Sequence, residues 1–273
     1  MSPQPIIKLL WKTRHMTGST NTAHYIYLGS GEAERYSVSP KGTLLDFAAQ
    51  SGLPVPPGIL LLDEARQTAV AHGLLLEEDD CVCASDVDSF VRSLDLPPLG
   101  REVAVRSAFA AADRMGDSLA GYFTSSVNVN MGDPLAVTMA LCQVWASALP
   151  HEETARRDVL MISMVDAELS GVVFSEADFA DDLVNYTMGS SNKLVSGDAK
   201  GSLLRLPKLG VDGAAPSGAL PAWAARLQAL LRDIRRLCPG DWDAEWVDDG
   251  ERCWLIQIRP TSRPARRDET AVS

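Results

Sequence analysis

The stretch AEWVDDGERCWLIQIRP, residues 244 to 260, constrains the fold more than any other part of the chain. Two apolar runs flank an Asp-Gly turn signal, which predicts an antiparallel hairpin. Glu245, Gln257 and Arg259 interrupt those runs. Burying a neutral amide without a partner costs roughly 2 to 7 kcal/mol, and a charge costs more, so the strands require partners for these groups. Side-chain alternation sets the geometry. A two-residue Asp249-Gly250 loop would put Glu245 and Gln257 on opposite faces, whereas an odd-numbered loop puts residues 245, 257 and 259 on one face. The expectation is an odd loop containing Gly250 and a partner shared by the three polar residues.

The chain has 273 residues and 46% hydrophobic content, enough for a proper core in one large domain or two modest ones. A formal net charge of -11, with the basic residues scattered, leaves no stripe suited to a phosphate backbone, so nucleic acid is not an expected partner. No apolar run reaches the length of a membrane span, and the start, MSPQPIIKLLWKTRH, is broken by Lys8. The expected setting is cytoplasmic, away from membranes. Five cysteines are an odd number for a disulfide framework, and Cys81 and Cys83 have no second pair at zinc spacing; reduced thiols and a buried CVC strand are expected. His151 opens HEETARRD, which lacks the second histidine of a metalloprotease motif and is assigned to the surface.

Along the chain, HYIYLG and RYSVS suggest a small sheet or an edge extension within residues 1 to 38. KGTLLDFAAQSG fits a short helix stopped by Gly52, and PVPPG an extended turn. Residues 62 to 75 and 85 to 94 read as helices, with LEEDD a solvated link between them. VAVRSAF, 103 to 109, predicts a strand followed by a loop containing Gly116 and Gly121. A helix over 133 to 148 and strands over 158 to 165 and 169 to 175 follow. In 220 to 237, Leu227, Leu230, Leu231 and Ile234 form one amphipathic stripe.

KGTLLDFAAQSGLPVPPG, VAVRSAFAAADRMGDSLAGYFTSSVNV, ISMVDAELSGVVFS and DWDAEWVDDGERCWLIQIRP occur in the order of one domain. Over residues 36 to 260 the chain resembles the N-terminal nucleotide-binding domain of the pyruvate phosphate dikinase and phosphoenolpyruvate synthase family, which includes rifampicin phosphotransferase. That resemblance implies an α+β, ATP-grasp fold in which two lobes hold ATP and Mg2+ between their sheets. The approximate lobes are 1 to 125 and 126 to 260, with 1 to 35 a divergent extension and 261 to 273 a tail. It further implies that Lys41 and Arg106 reach the phosphates, that Glu245 and Gln257 hold magnesium, and that Arg259 assists. The segment around Gly121 would cover the phosphates with backbone N–H groups, and Ile162, Ser163, Met164 and Val165 would form the adenine-contacting hinge. Elementary chemistry agrees, since phosphoryl transfer needs cations on several phosphate oxygens and Mg2+ takes few protein oxygens. The plainer alternative is that Gln257 and Arg259 cap a strand end, Arg259 pairing with an acid such as Asp243.

The sequence departs from the family at Ser39-Pro40, in place of a glycine pair; at Thr124, in place of an acid; at Ile162, in place of a glutamine; and at 189 to 192, where GSSN replaces GLGE. The family's linker to a swivelling histidine domain would begin after RPTSRP. The expected activity is therefore an ATP- and magnesium-dependent kinase that phosphorylates a small-molecule acceptor directly. The alternatives are a split dikinase subunit that phosphorylates a separate phosphohistidine carrier and releases AMP, a carboxylate–amine ligase, and a non-catalytic nucleotide-binding protein.

Overall fold

In the computed structural model, the described residues are 24–78, 81–109, 124–148, 156–189, 201–209 and 220–261. Gly116, Gly121, His151 and residues 190 to 192 lie outside them.

The first sheet has the order β1 (Tyr25–Tyr27), β2 (Gly58–Leu61), β7 (Arg157–Ser163), β5 (Glu102–Phe109), β6 (Ser125–Asn130). Its neighbouring strands are all antiparallel. Alternation divides its side chains between two cores. Ile59, Leu61, Val103, Val105, Val159 and Met161 face a core filled by helices. Those helices are α2 (Asp63–Ala71), α3 (Val87–Leu94) and α4 (Pro134–Ala146). Leu60, Ala104, Ala108, Leu160 and Ile162 face the other way, into a core shared with the second sheet. Arg106, in phase with Ala104 and Ala108, points the same way.

The second sheet is also antiparallel and has the order β10 (Ser202–Pro207), β9 (Asp181–Met188), β8 (Leu169–Ser175), β11 (Trp242–Asp248), β12 (Cys253–Pro260). Helix α5 (Ala222–Leu237) closes its far face, and the stripe Leu227, Leu230, Leu231 and Ile234 is fully buried there with Trp242, Ala244 and Trp246. Residues of opposite phase on β11, namely Asp243, Glu245 and Val247, therefore face the first sheet. The expected α+β architecture is present, and the strands of the first sheet precede residue 164 while those of the second follow residue 168.

Helix α1 (Pro40–Gln50) packs against β12 and carries Lys41 in its first turn. Ser39 Oγ accepts a hydrogen bond from Gly42 N, and Pro40 occupies the first helical position, where its missing N–H costs nothing. The Ser39-Pro40 departure is thus a helix-start signal. Asp46, buried in this helix, anchors the preceding loop. Its carboxylate accepts from Gly29 N at 2.7 Å, Gly31 N at 3.2 Å and Ala33 N at 3.1 Å. Helix α1 ends where expected, with Gly52 at φ +85°.

Three local expectations are corrected. RYSVS forms turns rather than a strand, while Tyr25–Tyr27 is the edge of the first sheet. LEEDD is not a plain link: β3 (Leu75–Glu78) pairs with β4 (Cys81–Ala84) as a hairpin. In β4 only Val82 is buried, and Cys81 and Cys83 are exposed, because just one face of this two-stranded ribbon meets the core.

Candidate functional site

The terminal hairpin brings Glu245 and Gln257 directly opposite one another and Asp243 opposite Arg259, all on the face toward the first sheet. The route to this arrangement differs from the expectation. Asp248 pairs with Cys253, so the loop holds four residues, an even number, with Gly250 inside it at φ +89°. Trp246 pairs with Leu255 while Glu245 pairs with Gln257, so Ile256 is the extra residue of a β-bulge. That bulge supplies the change of parity assigned to the loop.

Across the gap, Arg106 Nη1 donates to Glu245 Oε2 at 2.6 Å, with the two side chains only 11% and 17% exposed. Burial pushes the Glu245 carboxyl up, but the guanidinium of Arg106 and the charges of Lys41 and Arg259 outweigh it, so the group is held below the usual carboxylate value. Three cations from three elements therefore converge on one carboxylate. Among the described residues, Arg106 Nε is buried without a hydrogen-bond partner. Buried donors of this kind are rare in finished cores, and this one is free for a ligand oxygen.

Arg259 also has the plainer role anticipated for it: its Nε donates to both oxygens of Asp243, at 2.8 and 2.7 Å. The pairing fixes the guanidinium at the edge of the cleft. Asp248 and Asp249 stay structural. Asp248 is fully buried against Arg226, and Asp249 accepts from Glu251 N, Arg252 N and Trp254 Nε1.

Beyond Arg106 the cleft narrows to a crevice of about 40 Å³, walled by Ala104, Val127, Ile162, Met164, Val247 and Ile256. These side chains come from both sheets. The backbone of the connection is pinned, with Ser163 N bonded to Pro57 O at 2.8 Å and Met164 N to Glu102 O at 2.9 Å. Ser163 Oγ donates to Leu99 O, so its hydroxyl is committed away from the crevice. Ser163, Met164, Val165 and Ala167 are also walls of a cavity of about 460 Å³ bordered by Asp166, Glu168 and Trp254. None of Lys41, Arg106 and Arg259 lines the larger cavity, whereas Arg106 lines the crevice. Ile162 is 2% exposed and serves as both core and crevice wall.

A phosphate chain would find Lys41, Arg106 and Arg259 here. A hard cation would find the Glu245 carboxylate and the Gln257 carboxamide side by side, a donor set suited to Mg2+, which keeps water and substrate oxygens as its other ligands. Lys41, Arg106, Glu245, Gln257 and Arg259 are thus brought to one cleft, while Gly121 lies outside the described residues. The sequence reading missed the Glu245–Arg106 pair, since 139 positions separate the two residues.

No family model matches the sequence. Among curated proteins, the chain is similar to the prodigiosin synthesizing transferase PigC of Serratia marcescens, with 24% identity over 295 residues, covering 87% of this chain and 33% of PigC. It is also similar to the uncharacterized phosphotransferase YvkC of Bacillus subtilis, with 25% identity over 184 residues, covering 58% of this chain and 22% of YvkC. The chain spans about a third of the first relative's length and less than a quarter of the second's. Among solved structures, it is similar to D-alanine-D-alanine ligase of Helicobacter pylori at TM-score 0.42 and 14% identity, covering 81% of this chain and 53% of that one. A further similarity is to a RimK domain ATP-grasp protein of Sphaerobacter thermophilus, at TM-score 0.37 and 15% identity, covering 85% of this chain and 61% of that one.

Proposed function

We propose that this chain is an ATP-grasp, ATP- and Mg2+-dependent phosphotransferase whose nucleotide lies between the two sheets. The observation that carries this reading is the convergence of Lys41, Arg106 and Arg259 on Glu245, with Gln257 beside it. Lys41, Arg106 and Arg259 outnumber the carboxylates of Glu245 and Asp243, and the phosphates of a nucleotide would offset the excess positive charge. The base would enter the apolar crevice at Ile162 to Val165, and the phosphates would run toward Arg259.

Ligand binding exchanges partners. Glu245 and Gln257 would hold Mg2+, which would offset charge on the phosphates, and Arg106 would turn from Glu245 to the phosphate oxygens. Since the crevice of about 40 Å³ is far smaller than a purine, the sheets must part to admit the base. Phosphoryl transfer asks the protein mainly for positioning and charge stabilisation, and this donor set supplies both. The acceptor's nucleophile attacks the γ-phosphorus, the bond to the β–γ bridging oxygen breaks, ADP leaves, and the proton lost by the nucleophile passes to solvent. The names of the two similar curated proteins, a transferase and a phosphotransferase, support the class.

Phosphorus NMR of protein, ATP and Mg2+, with cell extract as the source of acceptors, tests this reading. ADP together with a new small-molecule phosphorus signal is expected. AMP with phosphate on a protein histidine would replace the reading with that of a carrier-dependent dikinase. Absence of any turnover would reduce the site to nucleotide binding.

A further inference from the structure

The second sheet continues past the metal-type pair, and its outer strands carry side chains unusual for an open sheet face. From β12 to β10, one row in register is Gln257, Glu245, Val172, Asn185, Leu203. The next row is Arg259, Asp243, Phe174, Leu183, Arg205. Because Ala244, Val173 and Val184 are buried on the opposite side, both rows look toward the first sheet. Open faces of antiparallel sheets are ordinarily polar. Here Phe174 is 43% exposed, Leu183 40% and Leu203 71%, as neighbours on three adjoining strands. Contiguous exposed apolar side chains of this kind mark binding surfaces.

Charge gives the shelf a direction. Arg205 is exposed and forms no ion pair or hydrogen bond among the described residues, whereas Arg259, at the other end of its row, is held by Asp243. Four strand spacings separate the two arginines, about 19 Å at the usual inter-strand distance. Between the metal-type pair and Arg205, Asn185 Oδ1 is a buried acceptor without a partner among the described residues.

We propose that Phe174, Leu183 and Leu203, with Arg205 at their outer end, form the acceptor subsite. Its ligand is a small molecule with an apolar, ring-sized body, a nucleophile at the end near Arg259, and an anionic group reaching Arg205. This assignment rests on the nucleotide reading for its chemistry but on the shelf alone for its recognition. A hydrophilic acceptor such as a free sugar would leave the three apolar side chains in water and gain nothing from them. An apolar body removes them from it, and burial of this kind stabilises binding by about 25 cal/mol per Å² before association costs.

The probe is 8-anilinonaphthalene-1-sulfonate, which combines an aromatic body with one anion, compared with the uncharged N-phenyl-1-naphthylamine. Titrations on the full chain measure dye affinity in wild type, in Phe174→Ser/Leu203→Ser and in Arg205→Gln. Leu135→Ser/Met139→Ser, which alters an equally exposed apolar pair on α4, is the control. The double shelf substitution is expected to weaken both dyes at least about fivefold, from the lost apolar area. Arg205→Gln is expected to weaken the sulfonate dye about threefold and leave the neutral dye unchanged, as suits a partly exposed ion contact. The α4 control should change neither, and MgATP affinity should hold in every variant.

Dye affinity insensitive to the shelf substitutions, or lowered as much by the α4 control, overturns the proposal. Self-association in wild type that Leu203→Ser abolishes would make the shelf a contact between copies and would also overturn it. The predicted dye pattern without MgATP binding would uphold the shelf as a site for apolar anions while the nucleotide reading failed.

Discussion

Arg106 on β5 and Glu245 on β11 meet at 2.6 Å and join the two sheets across the cleft. Each is the other's counter-charge in the free protein, and under the proposed function Arg106 would turn to the phosphates and Glu245 to the metal. The pair should therefore be energetically coupled. A double-mutant cycle of Arg106→Met and Glu245→Gln, read by urea unfolding, should return a coupling of about 1 to 3 kcal/mol without ligand, within the range for contacting residues. Saturating MgATP should change that value, because the ligand separates the partners; a coupling indifferent to MgATP would contradict the exchange.

The pH dependence of this pair follows from its sign. The folded protein holds Glu245 below its usual value, so its contribution to stability is complete above the ordinary carboxylate range. It is lost as pH falls through the lowered folded value. The stability difference between wild type and Glu245→Gln, followed by urea midpoints, should be level near neutrality and shrink on acidification. A difference that grew in acid would mean that the carboxyl is raised.

Asp46 should be costly to remove although it lies outside the cleft. Its carboxylate takes three backbone N–H groups of the loop before α1. Asp46→Ala should lose about 3 kcal/mol, since bonds to a charged acceptor exceed neutral ones and three donors lose their partner together. Urea unfolding measures this, and a loss below about 0.5 kcal/mol, the usual span of surface changes, would show that the loop holds itself.

Gly250 is fixed by both conformation and space. Its φ is +89°, and a Cβ there would lie 2.7 Å from a Glu168 carboxylate oxygen. Gly250→Ala should lower stability by about 1 to 2 kcal/mol, mostly from the left-handed backbone, because the Glu168 side chain can move aside. Gly250→Ala with Glu168→Ala should recover only the smaller, steric part, as thermal midpoints would show.

Long-period signals predict elements reliably, and single-residue events do not. The α5 stripe predicts a buried helix because four large aliphatics repeat at helical spacing, and Gly52 predicts the end of α1 because glycine alone takes its backbone conformation without strain. The coplanarity of Glu245, Gln257 and Arg259 was legible from their charge in an apolar hairpin, but its cause was not. Ile256 is an apolar residue in an apolar strand, so the bulge leaves no compositional trace, and loop parity was the simpler account. RYSVS has strand-like residues yet forms turns, because among the described residues no strand is placed to pair with it. Asp46, Arg106's partner and the exposed Phe174, Leu183 and Leu203 depend on contacts or exposure set by the folded chain, which spacing along the sequence does not encode.

The central claim is that MgATP binds between the sheets through Lys41, Arg106, Glu245, Gln257 and Arg259, and isothermal titration calorimetry tests it most directly. The account predicts one MgATP per chain, binding weakened at least about tenfold by Glu245→Gln, a loss of roughly 1.4 kcal/mol, and by Arg106→Ala. Removal of magnesium with EDTA should weaken wild type and leave Glu245→Gln little changed. Equal affinity in wild type and both variants, or no binding to a folded wild-type protein, would contradict it.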